Sequence, residues 1–139
     1  MKIRIKKLTD NAVMPKKAHP ADAGFDLYAT KDYVIQAHGR CLIDTGIAMD
    51  VPLGYYGMVV GRSGNTIKRG LVGMTGIIDS GYQDSIGIMA FNMTDADIEI
   101  KQGERAGQIL IVPHLPCHFD ESDEFTVVNR NGGFGSTGR

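Results

Sequence analysis

Eighteen glycines and five prolines cut this 139-residue chain into pieces too short for helical packing. Inside a helix a glycine costs about 1 kcal/mol and a proline about 3 kcal/mol relative to alanine. Punctuation at this density therefore removes long helices. The pieces between the breaks are rich in β-branched and aromatic residues, which suit a pleated surface. Nine such runs fall at 2–6, 25–29, 33–35, 42–51, 55–60, 86–92, 97–100, 108–112 and 124–128. Ile3 and Ile5, and again Ile98 and Ile100, alternate with charged or polar residues as in a half-buried strand. Many short strands at close spacing predict an all-β sandwich or barrel. Helical periodicity is nearly absent, and residues 65–68 are the one predicted helical turn. An all-β fold of this size has exposed edges and a modest core, and association of subunits answers both.

At this length the chain reads as one domain with a core of its own. Hydrophobic residues make up 42% and charged residues 22%, as in an ordinary soluble protein. Fifteen basic side chains against sixteen acidic ones leave a net charge of −1. That balance excludes a general affinity for nucleic acid or for an anionic membrane. The basic segment 1–8 is followed by no apolar run, so it does not read as a signal peptide, and no stretch approaches the length of a membrane span. Cys41 and Cys117 are too few for a disulfide framework, so a reducing, cytoplasmic setting is expected. His114 and His118 flank Cys117, but Pro113 and Pro116 break the local backbone, and a loop or strand end is the preferred reading over a metal site.

Five short segments carry residues suited to chemistry. The first, 23–29, places Phe25, Leu27 and Ala29 on one strand face and Asp26 and Tyr28 on the other. An acid in such a strand needs a cation, a metal or backbone donors as its partner. The second, 61–64, is a Gly-Arg-Ser-Gly turn directly after an apolar strand, and its Arg62, Ser63 and Gly64 can cradle phosphate. The third runs from Thr75 to Asp84, with Asp79, Ser80 and Gly81 as a hairpin signal between strands at 76–78 and 86–92. Backbone groups at the mouth of a hairpin can read the edge of a planar base. Asp79 there can serve as a general base, and Tyr82 can pack on a sugar. The bland alternative for Asp79 is an Asx-turn. The fourth, 102–108, enters a strand. Gln108 can hold phosphate or a metal-bound water, while Glu104 reads as a solvated turn residue. The fifth is the Gly-rich end, 130–139. There Arg130 can fork onto phosphate, Phe134 can stack on a base, and Ser136 and Thr137 can donate to oxygen.

Taken together and in order, these segments resemble the homotrimeric dUTP pyrophosphatases, the dUTPases, from about Pro15 to Gly138. Residues 23–27 are similar to the family's Ala-Gly-Tyr/Phe-Asp-Leu, 62–64 to its Arg-Ser-Gly, and 76–82 to its Gly-Val-Ile-Asp-x-x-Tyr. Residues 103–108 are similar to its Gly-Asp-Arg-x-x-Gln, and 132–138 match its Gly-Gly-Phe-Gly-Ser-Thr-Gly. The resemblance implies a β jelly-roll domain over 1–128, a flexible closing tail over 129–139, and a homotrimer whose sites are each built by three chains. It implies hydrolysis of dUTP to dUMP and pyrophosphate with Mg²⁺. Asp79 would activate the water that attacks the α-phosphorus, and Tyr82 would lie against the deoxyribose. The backbone of Gly76, Ile77 and Ile78 with Gly87 would read uracil, and Arg62, Ser63, Gly64 and Gln108 would hold the phosphates. Asp26 would meet the metal. Arg130, Phe134, Gly135, Ser136 and Thr137 would close over the nucleotide.

The chain departs from the family pattern at several places. Gly61 stands where a proline is usual, Asn65 and Thr66 where Leu-Ala is usual, and Asp84 where a glycine is usual. Glu104 and Gly107 replace Asp and Ala in the fourth segment, and Arg130 lies one residue closer to Phe134 than the pattern has it. A dCTP deaminase shares the fold, but such enzymes carry a glutamate on the strand after the hairpin, and 86–92 contains no acid. A non-catalytic binder on the same fold is the other rival, and retention of Asp26, Arg62 and Asp79 argues against it.

Overall fold

A computed structural model describes residues 1–128 of the chain. It contains eleven strands and one short helix among those residues. The strands are β1 (Ile5–Lys7), β2 (Phe25–Tyr28), β3 (Tyr33–Ile35), β4 (Arg40–Asp44), β5 (Ile47–Met49) and β6 (Tyr55–Val60). After the helix α1 (Ser63–Arg69) come β7 (Leu71–Gly73), β8 (Gly76–Ile78), β9 (Gly87–Asn92), β10 (Ile98–Ile100) and β11 (Arg105–Pro113). All pairings are antiparallel. A four-stranded sheet has the order β2-β11-β6-β8, and a three-stranded sheet the order β4-β9-β7. Two ribbons, β1-β5 and β3-β10, complete the set. This is the all-β class that the segment lengths predict, in keeping with the jelly roll that the resemblance implies.

The core follows from strand alternation. On β9, Ile88, Ala90 and Asn92 are buried while Met89 faces out. Leu27, Ile43, Ile47, Ile86, Ile100 and Ile109 are fully enclosed, each worth about 1.5–3 kcal/mol of transfer free energy. Asn92 is polar yet only 1% exposed, because its amide donates to the carbonyls of Ile35, Gln36 and Ala96 while its oxygen accepts from Thr94. It ties the end of β9 to the β3–β10 ribbon.

Four expectations need correction. The predicted run 42–51 is broken at Gly46, whose φ of +63° is left-handed, so the chain turns between β4 and β5. The helical turn extends to seven residues and stops at Gly70, which takes the left-handed C-cap with φ +67°. Residues 79–81 do not join two paired strands. β8 pairs with β6 while β9 pairs with β4 and β7, so the turn crosses from one sheet to the other. Residues 124–128 form no strand, and Phe125, Val127 and Val128 are exposed. A strand needs a partner ladder, and this segment has none among the described residues.

Candidate active site

The three-strand register of the larger sheet builds the first half of the site. Gln108 on β11 pairs with Asp26 of β2 on one side and with Val60 of β6 on the other. The chain leaves β6 at Val60 and passes through Gly61 to Arg62, so three segments distant in sequence meet at one end of the sheet. The Gln108 amide donates to the Gly61 carbonyl at 3.1 Å, which fixes the turn. Arg62 has an extended backbone and precedes α1. Ser63 and Gly64 open that helix, where the first N–H groups lack intrahelical acceptors, and its first turn holds no acid.

Asp26 is 9% exposed, and its partners are cations. Arg62 Nε lies 3.0 Å from Oδ1 and an Arg105 guanidinium nitrogen 3.4 Å from Oδ2. A buried carboxylate without such partners would cost several kcal/mol. Two guanidinium groups around one carboxylate leave a local charge of +1, which favours an anion. Arg105 was not singled out from the sequence. Its signal was the Gly-Glu-Arg order of the fourth segment, which puts it on the same face as Asp26 through a bulge between Arg105 and Gly107. Asn65, also missed, is buried and donates to the Arg105 carbonyl at 3.2 Å, pinning α1 to β11. Glu104 is not a solvated turn residue as expected. Arg69 on α1 bonds it, and its other oxygen accepts from the Lys101 N–H at 2.9 Å.

Gly61 has a physical reason of its own. A Cβ there would lie 2.7 Å from the Gly73 nitrogen, and a Cβ on Gly73 would lie 2.4 Å from the Gly61 Cα. The two glycines bring the backbone of one sheet onto that of the other. A side chain at either place would force them apart.

The second half of the site lies elsewhere. Gly76, Ile77 and Ile78 form β8, the edge of the larger sheet, so one row of their backbone donors and acceptors has no ladder partner among the described residues. Asp79 follows, exposed, in a cleft of about 200 Å³ lined by Tyr55, Tyr56, Ile77, Ser80 and His114. The Tyr82 N–H donates to the Asp79 carbonyl at 3.1 Å, and Gly81 supplies the φ of +90° that closes the turn. Tyr82 is 39% exposed, and its hydroxyl donates to the Ser85 carbonyl at 3.1 Å. Gly87 opens β9 opposite Asp44.

The two halves do not meet within one chain. Ile78 pairs with Gly57, so Asp79 follows opposite Tyr56, whereas Gln108 pairs with Val60. Four residues of β6 separate those rows, about 13 Å along the strand. Asp79 and Arg62 of one chain are therefore set well apart along the strand. Arg130, Phe134, Gly135, Ser136 and Thr137 lie outside the described residues. Among the described residues no group of three His, Cys, Asp or Glu side chains could hold a metal. The donor set near Asp26 is one carboxylate already forked by two arginines. It does not fit a magnesium site built from side chains alone. Among the described residues no helix is long and apolar enough to cross a membrane.

Comparison with known proteins agrees with this geometry. A family model described as dUTPase matches residues 10–138. A probable deoxyuridine 5'-triphosphate nucleotidohydrolase of Schizosaccharomyces pombe is 38% identical over 140 residues, covering 99% of each chain. Among solved structures, a glycine-to-serine mutant of a Staphylococcus bacteriophage 80alpha dUTPase with dUpNHpp superposes with a TM-score of 0.94 at 30% identity, covering 99% of each chain. The dUTPase from phage phi11 of S. aureus, reported with a structural Mg(II) ion, superposes with a TM-score of 0.87 at 27% identity, covering 91% of this chain and all of that one. With the family model spanning nearly its whole length and a relative matched end to end, this chain belongs to the dUTPase family.

Proposed function

We propose that this protein hydrolyses dUTP to dUMP and pyrophosphate at sites shared between copies of a homotrimer. The observation that carries the reading is the separation of Asp79 from the Asp26–Gln108–Arg62 cluster by four residues of β6, in a chain that the dUTPase family model matches over residues 10–138. One chain offers its phosphate cluster and another its turn. The exposed segment after β11 supports association. Leu115, Phe119, Phe125, Val127 and Val128 all face solvent, Phe119 at 98%, which leaves apolar surface for a neighbouring copy to cover.

In this site the free edge of β8, from Gly76 through Ile77 to Ile78, pairs with uracil, with Gly87 beside it. Cytosine would present an amino donor where uracil presents O4, and a mispaired buried donor discriminates by up to about 10⁴–10⁵-fold. Tyr82 lies against the deoxyribose. Arg62, Ser63, Gly64 and Gln108 of a second chain hold the phosphates and set the α-phosphorus in line with a water on Asp79. Asp79 takes the proton as the water oxygen bonds to phosphorus, and the bond to pyrophosphate breaks. A positioned base of this kind contributes roughly 10²–10⁴-fold, and orientation supplies much of the rest. Asp26 would be the carboxylate nearest to a magnesium ion brought in with the nucleotide. When bound, magnesium neutralises phosphate charge. Residues 129–139 act as a separate closing tail, with Arg130, Phe134, Gly135, Ser136 and Thr137 over the nucleotide.

The test is an assay of purified protein with dUTP and with dCTP, following pyrophosphate and ammonia. Pyrophosphate from dUTP without ammonia is expected. Ammonia from dCTP would make it a deaminase, and binding of dUTP without either product would make it a non-catalytic binder.

A further inference from the structure

The turn that carries Asp79 and Tyr82 is not held by a strand ladder, because β8 and β9 belong to different sheets. Its outward leg is anchored at Ile78 on β6. On the return, Gln83 and Asp84 are exposed, and the first anchored side chain is Ser85. Its hydroxyl donates to Oδ1 of Asp44, the last residue of β4. Asp44 is itself fixed from several sides. The Gly46 N–H donates to Oδ1 at 3.2 Å and the Thr30 hydroxyl to Oδ2 at 3.2 Å, while the Asp44 backbone N–H donates to the Tyr33 hydroxyl oxygen at 2.9 Å. Ile86 then locks onto the same corner through the Ile47 carbonyl at 2.8 Å and the Thr45 hydroxyl at 2.6 Å. The Ser85 carbonyl, placed in this way, accepts the Tyr82 hydroxyl at 3.1 Å.

We infer that Asp44 and Ser85 are positioning residues that set the Tyr82 ring, and through it the discrimination between deoxyribose and ribose nucleotides. The inference rests on the reading of Tyr82 as the sugar contact. Neither residue touches the nucleotide. A tyrosine 39% exposed on a six-residue excursion has several rotamers open to it, and one hydroxyl bond to a fixed carbonyl selects among them. Asp44 matters because its oxygens already accept from two other elements, so Ser85 is tied to the fold and not to another loop.

The experiment measures kcat/KM for dUTP and for UTP in the wild type, Tyr82→Ala, Tyr82→Phe, Ser85→Ala, Ser85→Thr, Asp44→Asn and the pair Tyr82→Phe with Ser85→Ala. Thermal unfolding and oligomer size are measured on each. Ser85→Ala, Asp44→Asn and Tyr82→Phe are each expected to lower the dUTP/UTP ratio about 3- to 10-fold, the worth of one such hydrogen bond. Ser85→Thr keeps a hydroxyl and is expected to restore most of the ratio. The pair is expected to lose no more than either single change, since both cut one relay. A ratio unchanged in Ser85→Ala while Tyr82→Ala collapses it would overturn the relay alone. A ratio unchanged in Tyr82→Ala would overturn the sugar reading beneath it. Additive losses in the pair would show two independent effects and also overturn the relay.

Discussion

Asp79→Asn and Arg62→Ala are each expected to inactivate the protein, and mixing them is expected to restore activity. The register sets the reason. Asp79 stands opposite Tyr56 and the phosphate cluster opposite Val60, about 13 Å apart on one chain. If each site takes its cluster from one chain and its turn from the next around a closed ring, a site is whole only where an Asp79→Asn chain is followed by an Arg62→Ala chain. With equal amounts and random assembly, each place is filled by either chain with probability one half. About one quarter of all sites are then whole, and specific activity rises to about one quarter of wild type. Every mixed trimer, whichever variant is in excess, contains one whole site of its three. The variants are tagged differently, co-refolded, purified through both tags, and assayed for pyrophosphate release. Tandem-purified trimers are expected at about one third of wild-type activity, because the pure trimers have been removed. If mixed assemblies form and stay inactive, cluster and turn act within one chain, and the reading of the register is wrong.

Three further outcomes follow from the same structure. Burial pushes the Asp44 carboxyl up, but donors at Ser85, Gly46 and Thr30 with the charge of Lys31 outweigh it, and its pKa is lowered from the ordinary 3.8. A depressed carboxylate gives stability that is present above that value and lost as pH falls through the folded one, so melting temperatures followed from pH 5 down to about pH 2 should fall less steeply in Asp44→Asn than in wild type. Gly73→Ala should destabilise by about 1–3 kcal/mol in denaturant unfolding and lower affinity for nucleotide, because the new methyl pushes on the turn before Arg62. Removing residues 131–139 should leave the circular dichroism unchanged and activity severely reduced. An unfolded product would make the tail part of the core.

The sequence read well where chemistry is local. Strands at 33–35 and 55–60 are found with those limits, since each is a short apolar run closed by turn residues. The row of Asp26, Gln108 and Arg62 was implied by resemblance, yet the reason for it, pairing of β11 with both β2 and β6, is long-range and leaves no mark in any one segment. The same holds for the turn at 79–81. Its residues signal a hairpin, but the choice of β6 as the partner of β8 is made by packing. Residues 124–128 have strand composition and no strand, because composition says nothing about whether a partner is within reach. Asp44 and Ser85 are forty-one positions apart, and neither type is unusual in its place.

The contact between Gly61 and Gly73 also limits how this sequence can change over time. Each position is closed to a side chain whatever residue stands at the other, since the obstacle is backbone and cannot rotate away. The proline that the family commonly carries at the first of them is not one step away from this chain, because it would meet the strand at the second. A lineage moving between the two forms must first shift β7 away from the turn that follows Val60.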